Sequence, residues 1–215
     1  MRAAEVLSAL AVHDSELGQV LGLLRASAPE REPESLPLGA GDRRLLALHR
    51  ALTGRDVELT VACGACGMLN ELLIAVEALP APVSRVAVCG SGGGVREPTY
   101  GDLVGLPGER SAALAELLRR CTVGAPSRPP RAEDLELVDD SLAGPLGSTC
   151  AGCGGPLEAL LDVQRVVLEL LQRQLVLIDH ETDVLARAYH WDLAAIEALP
   201  DERRTRLARL AAEDR

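Results

Sequence analysis

Two stretches of the chain, VACGACGMLN at 61–70 and GSTCAGCGGP at 147–156, each place two cysteines at CxxC spacing with glycine directly after the second. Paired thiols at this spacing suit three chemistries: a metal knuckle, a redox pair or a disulfide. A knuckle supplies only half of a tetrahedral site, and structural zinc takes four ligands. The doubling therefore predicts that Cys63, Cys66, Cys150 and Cys153 meet at a single zinc ion. A glycine after each pair suits a tight turn whose amides face the sulfurs. A thioredoxin-like redox pair would need one reactive CxxC at the start of a helix in a βαβ setting; two pairs, each followed by glycine, make a thiol oxidoreductase the lesser alternative. Disulfides, or a knuckle without its metal, are the remaining reading. Four thiolates close the coordination sphere and leave no position for a substrate water. Such a site contributes on the order of 10–16 kcal/mol of apparent binding energy, realised as folding energy. Between Cys66 and Cys150 lie 83 residues (150 − 66 − 1), against roughly 15–20 in an ordinary doubled CxxC pattern. The intervening chain is thus expected to be an insertion between two halves of a zinc ribbon.

Other candidate chemistry is sparse. Cys89 and Cys121 stand alone and are expected to be small buried hydrophobes. All 22 basic residues are Arg, so a Walker A loop, a Schiff-base lysine and a kinase-type lysine are excluded. GSGGG at 90–94 does not fit GxGxxG spacing and is expected to be a flexible loop. The four His are scattered, with no HExxH and no GxSxG, and Asp139 and Asp140 are expected to be solvated in a loop. No catalytic residue is assigned, and the chain is expected not to be an enzyme and to have no small-molecule substrate. The polar run VREPTYGDL offers Arg96, Glu97, Tyr100 and Asp102 as a partner contact. Arg203 and Arg204, with Arg206 and Arg209, lie on a helix after Pro200, which admits a zinc-ribbon regulator binding nucleic acid. Against that stand a net charge of −10 and an aromatic content of one Trp, two Tyr and no Phe, because phosphate binding wants a basic footprint and single-strand readers want aromatic platforms.

The elements that must position the cysteines follow from periodicity. Residues 3–26 read as an amphipathic helix with Val6, Leu10, His13, Leu17, Val20, Leu21 and Leu24 on one face, expected to pack on a longer helix. SAPEREPESLPLGAGD is a linker, Asp42 is the expected cap of RRLLALHRAL, and Gly54 its stop. DVELTVA and LNELLIAVEAL are the strands flanking the first knuckle. A strand at VSRVAV precedes the glycine loop, a helix runs from near Glu109 to before Gly124, and APSRPPRAED is a loop. A stripe from Leu160 through Val163, Val167, Leu171, Leu175, Ile178, Thr182 and Leu185 to Tyr189 predicts a helix of about eight turns. Glu169 with Arg173 and Asp183 with Arg187 are acid-first pairs on its solvated flank. Two short helices capped by Asp192 and Asp201 follow. The fold class is α+β: a small zinc-ribbon core on two β-hairpins, an insertion, and a long C-terminal helix with two short ones after it. Three regions result: 1–35, an amphipathic helix and acidic linker; 36–160, the ribbon with its insertion at 80–145; and 161–215, the helical end. With neither a secretory signal nor a spanning segment evident, a cytoplasmic protein that keeps clear of membranes is expected.

The chain resembles small proteins encoded in contractile-tail gene clusters, similar to a T-even phage baseplate hub family. The resemblance rests on LPLGAGDRRLLALHRALTG, VACGACG, REPTYGDL, LLRRCTVG, STCAGCGGPLEALLDV and, above all, DVLARAYHWDLAAIEALPDERRTRLARL. In that last stretch Tyr189, Trp191, Ile196, Leu199 and Pro200 match a helix ending in Tyr-x-Trp, an Ile-x-x-Leu-Pro turn and an arginine-bearing helix. The resemblance implies a baseplate hub component or assembly chaperone of a phage tail or phage-like injection system, whose partners are hub or wedge proteins of the same particle. Tyr189 and Trp191 join the candidate partner contacts. No catalytic residues come with it, whereas the four knuckle cysteines do.

Overall fold

A computed structural model describes residues 10, 12–83 and 85–213. Its elements are α1 (Glu16–Ser27), α2 (Leu38–Thr53), β1 (Val57–Ala62), β2 (Leu69–Ile74), β3 (Val86–Val88), β4 (Gly93–Arg96), α3 (Tyr100–Leu103), α4 (Arg110–Cys121), β5 (Thr122–Gly124), α5 (Ala132–Glu136), β6 (Ala143–Thr149), β7 (Pro156–Asp162), α6 (Val163–Tyr189), α7 (Leu193–Glu197) and α8 (Asp201–Glu213). The α+β class holds: two antiparallel hairpins, β1–β2 and β6–β7, carry the cysteine pairs, and a long helix with two shorter ones follows.

The main core joins α1, α2, both hairpins and the first half of α6. Leu23, Leu24, Leu45, Leu46, Val57, Leu161, Val163 and Val167 are buried in it. With no Phe, each such aliphatic side chain contributes about 1.5–3 kcal/mol on burial. α1 packs on both α2 and α6. The helix expected over 3–26 is interrupted at 12–15, and α1 begins at Glu16 because Ser15 caps it: Ser15 Oγ accepts from the Gly18 amide at 3.1 Å. Leu10 is buried, whereas Val6 lies outside the described residues.

α2 begins four residues before Asp42, so Asp42 is no N-cap. It sits inside the helix, buried, and serves as an acceptor. Gly39 and Gly41 make this possible. A Cβ at Gly41 would collide with the Tyr100 ring, and one at Gly39 with the Asp140 carbonyl.

The insertion has its own small core of Ala87, Cys89, Val95, Cys121, Leu135 and Val138. Cys89 and Cys121 are fully buried there, as small hydrophobes. The glycine-rich segment is not a loose loop. Gly90 and Gly92 turn with φ of 79° and 85°, and Gly93–Arg96 forms the centre of a three-stranded sheet ordered β3–β4–β5. A Cβ at Gly94 would strike the Ala87 carbonyl across the ladder, so glycine here allows close strand approach.

Two copies of one device brace this unit. Arg96 grips Asp102 with both guanidinium nitrogens, at 2.7 and 3.0 Å, while the Thr99 amide donates to the same carboxylate at 2.8 Å. Arg128 grips Asp134 likewise, and the Arg131 amide donates to it at 2.8 Å. Both obey R-x-P-x-x-x-D, in REPTYGD and RPPRAED. The second copy starts α5 inside a segment whose sequence reads only as a loop. Asp140 is engaged as well, paired with Arg43 at 3.1 Å and accepting from the Val83 amide.

α6 starts at Val163 because Asp162 caps it, accepting from the Arg165 amide at 3.1 Å. Leu160 therefore belongs to β7, where it is 82% exposed, and the stripe begins at Val163. Val167, Leu171 and Leu185 are buried along it. Past an αL residue at His190, α7 and α8 fold back on the end of α6 around Leu185, Ile196, Ala208 and Ala211. Asp192 caps α7, accepting from the Ala195 amide at 2.7 Å. Asp201 is the first residue of α8 rather than its cap, and its carboxylate takes a hydrogen bond from Arg204. No helix among the described residues is long and apolar enough to cross a membrane.

Candidate metal centre

The two knuckles are built alike. In the first, Ala62 and Leu69 close the β1–β2 ladder, the Cys63 amide donates to Met68 O at 2.8 Å, and the Gly67 amide donates back to Cys63 O at 2.8 Å. In the second, Thr149 and Pro156 close the ladder, the Cys150 amide donates to Gly155 O at 2.9 Å, and the Gly154 amide donates to Cys150 O at 2.9 Å. Gly67 and Gly154 have φ of 73° and 71°, the left-handed conformation that glycine adopts without steric cost. This is why glycine follows each pair.

The hairpin tips bring all four sulfurs within 4.8 Å of one another. The cross-knuckle distances are 3.8 Å for Cys63–Cys153 and 3.7 Å for Cys66–Cys150. Four sulfurs about 2.3 Å from a tetrahedral zinc stand about 3.8 Å apart, so the cluster already has the dimensions of a four-thiolate zinc site. Cys63 and Cys150 are buried while Cys66 and Cys153 reach solvent. Leu157, with Val61 and Leu72, forms the apolar floor.

The electrostatics also call for a cation. The amides of Cys153 and Gly152 hold the Cys150 thiol down to about 6, with help from Asn70. The Cys66 and Ala65 amides lower Cys63 in the same way. The Met68 amide pulls Cys66 down too, yet the competing sulfurs of Cys153, Cys150 and Cys63 drive it up to about 12. Left to themselves, four clustered sulfurs cannot all carry charge. A divalent cation removes that conflict, since a coordinated thiol is deprotonated outright. The chemistry is structural: all four tetrahedral positions are thiolates, and the ion locks two hairpins together.

One residue of the centre has no signature in the CxxC pattern. Asn70, buried in β2, accepts from the Ala151 amide of the other knuckle at 2.9 Å and donates to Met68 O of its own at 2.9 Å. Its Nδ2 also lies 3.6 Å from Cys150 Sγ. It orients the ligands from outside the coordination sphere. The available signal was a lone amide residue at an inward position of the strand LNELLI, beside the outward Glu71.

The other candidate residues part company. Glu97 and Tyr100 are buried and turned inward: Glu97 accepts from the Gly39 amide at 3.0 Å, and Tyr100 donates to Asp42 at 2.6 Å. Half-buried Arg96 bridges Asp102 and Arg120 O. Glu97 and Tyr100 hold the insertion to α2, while Arg96 braces the insertion internally, so the polar groups of all three are engaged within the chain. Arg204 is also interior, paired with Glu181 at 2.9 Å and Asp201 at 2.7 Å, while Arg203 is exposed. Tyr189 and Trp191 do face solvent, stacked with ring centroids 5.0 Å apart and 39% and 37% exposed. The aromatic pair is 36 or more residues from the nearest cysteine ligand (189 − 153).

No family model matches this chain, and neither a curated protein nor a solved structure matches it.

Proposed function

We propose that the chain is a non-enzymatic scaffold of a contractile tail or phage-like injection particle, acting as a baseplate hub component or as its assembly chaperone in the cytoplasm. The zinc centre supports the scaffold reading, since its four thiolates leave no position for a reacting water. The baseplate reading rests on the resemblance in the stretches from LPLGAGDRRLLALHRALTG to DVLARAYHWDLAAIEALP.

One observation carries the partner reading. In the most family-like stretch, two of the chain's three aromatic residues stack on each other at the surface. Aromatic anchors of this kind dominate protein interfaces, and here Tyr189 and Trp191 lie at the surface while Tyr100 is the one aromatic in the core. The partner is a hub or wedge protein of the same particle.

The test is co-purification of the zinc-loaded chain with proteins encoded beside its gene. Capture of a hub or wedge protein, lost on replacing Tyr189 and Trp191 by Ala with zinc content unchanged, supports the reading. A gene with no tail genes around it, or no capture, sinks it. The nucleic-acid alternative is weakened by the position of Arg204, whose guanidinium already lies between two carboxylates.

A further inference from the structure

A cleft of about 870 Å³ lies between the C-terminal end of α2, the start of β1, the middle of α6 and α8. None of the four metal ligands lines it. Its size falls within the range of small-molecule sites. Five of its lining residues are arginines, in a chain that is otherwise strongly acidic.

The charges do not cancel. Arg204 is paired with both Asp201 and Glu181, and Asp56 lies toward Arg50 and accepts from the Val76 amide. That leaves Arg55, Arg173, Arg206 and Arg209 facing Glu58 and Glu202. Among the described residues, Arg55, Arg206 and Arg209 have no carboxylate within 4.0 Å, and Arg173 only reaches Glu169 at 3.9 Å along its own helix. The arginines come from three separate segments and converge on one space. Leu52, Leu170 and Leu177 supply an apolar wall. Buried His49 also lines the cleft, and its Nδ1 has no hydrogen-bond partner.

We propose that this cleft binds a small polyanion carrying two or more phosphate or carboxylate groups. Guanidinium forks match the planar edges of both groups and bind them in pairs. The excess positive charge selects the anion, and the leucine wall accommodates its carbon skeleton. Electrostatic attraction at an exposed cleft is screened by salt, so affinity falls as ionic strength rises. This inference is independent of the baseplate reading, since it involves neither Tyr189 nor Trp191.

Titration calorimetry on the full zinc-loaded chain tests it, with inorganic pyrophosphate and citrate as probes at low and at physiological salt. Saturable one-site binding of pyrophosphate alone assigns a phosphate ligand, and binding of citrate alone a carboxylate ligand. Exposed Arg206 and Arg209 can be replaced without touching the core. Each Gln replacement is expected to weaken binding about tenfold or more, as befits loss of a charge-assisted hydrogen bond. Leu177→Glu, which adds a negative charge to the wall, is expected to abolish it. Arg187→Gln, on the far end of α6, leaves it unchanged. Absence of heat with both probes, or binding that survives the double Arg206→Gln and Arg209→Gln replacement, overturns the proposal.

Discussion

Tyr100 donates its hydroxyl to Asp42 Oδ1 over 2.6 Å, and neither residue is open to solvent. Asp42 also accepts from the Leu142 amide at 2.8 Å and from Gln164 Nε2 at 3.2 Å. One carboxylate in α2 thus ties together the insertion, the strand entering the second knuckle and the long helix. Burial raises its pKa despite these donors, so the donors are what make it tolerable inside the core.

Removing the hydroxyl with Tyr100→Phe keeps the ring against Gly41 but takes away the shorter of the two hydrogen bonds to Asp42 Oδ1, leaving Gln164 at 3.2 Å. The expected cost is about 1–3 kcal/mol, in keeping with loss of a hydrogen bond to a charged group. Gly41→Ala is expected to cost more, because its methyl group and the Tyr100 ring cannot share the space. Urea unfolding curves of the zinc-loaded variants check both; a Tyr100→Phe protein as stable as the parent refutes the tie.

Elemental analysis of the thiol-reduced protein is expected to find one zinc per chain. Replacing any of Cys63, Cys66, Cys150 or Cys153 by Ser abolishes that stoichiometry. Chelation melts the hairpins, with a loss on the order of 10 kcal/mol of apparent stability. Cys89→Ala and Cys121→Ala keep their zinc and lose only packing. A reduced protein without metal, or a chelated one with unchanged melting, contradicts this account.

Asn70→Ala retains the four ligands but removes the brace between the knuckles. Zinc still binds with one-to-one stoichiometry, about 10–100-fold more weakly, as for other outer-sphere partners. Competition with a calibrated chelator measures it.

Asp102 provides a pH signature. Burial alone would raise its pKa, but the Arg96 fork and the Thr99 amide and hydroxyl outweigh it and hold the carboxyl at about 2. A carboxyl depressed in the folded state stabilises the protein fully above its unfolded value, about 3.9. That contribution disappears as pH falls from about 4 through about 2. With Arg96 one-third exposed, solvent screening limits the contribution to about 1–2 kcal/mol. Carboxyl-detected NMR titration is expected to give a midpoint near 2, moving toward the ordinary value in Arg96→Gln.

At the C-terminal end, Arg204→Leu leaves Glu181 without its buried partner and removes the ionic tie between α8 and α6. Breaking a buried pair of this kind costs about 3–5 kcal/mol. Arg203→Ala, its exposed neighbour, stays within about 0.5 kcal/mol of the parent. Equal costs for the two would mean that the burial of Arg204 is inconsequential.

The metal centre was legible because its chemistry is written in residue type and spacing: four cysteines, two glycines and a turn geometry that demands both. The long helix was legible from its stripe, except at its start, where the side chain of Asp162 rather than periodicity sets the boundary. What escaped were residues whose roles exist only in three dimensions. Asp42 carries an N-cap's identity, but Gly39 and Gly41 let the helix begin earlier and draw it inside. Glu97 and Tyr100 look like surface recognition groups until α2 closes over them. The paired R-x-P-x-x-x-D motifs were visible as letters, 32 residues apart (128 − 96), yet their meaning depends on each arginine folding back six residues onto its aspartate.

Because the ion joins hairpins on either side of the insertion, the backbone from Cys66 to Cys150 is a lasso whose knot is inorganic. A single protease cut in the exposed Gly105–Glu109 turn would leave two polypeptides still clasped at their cysteines. Chelator would then loosen that clasp, giving a reversible way to weaken the join between the two pieces without breaking another covalent bond.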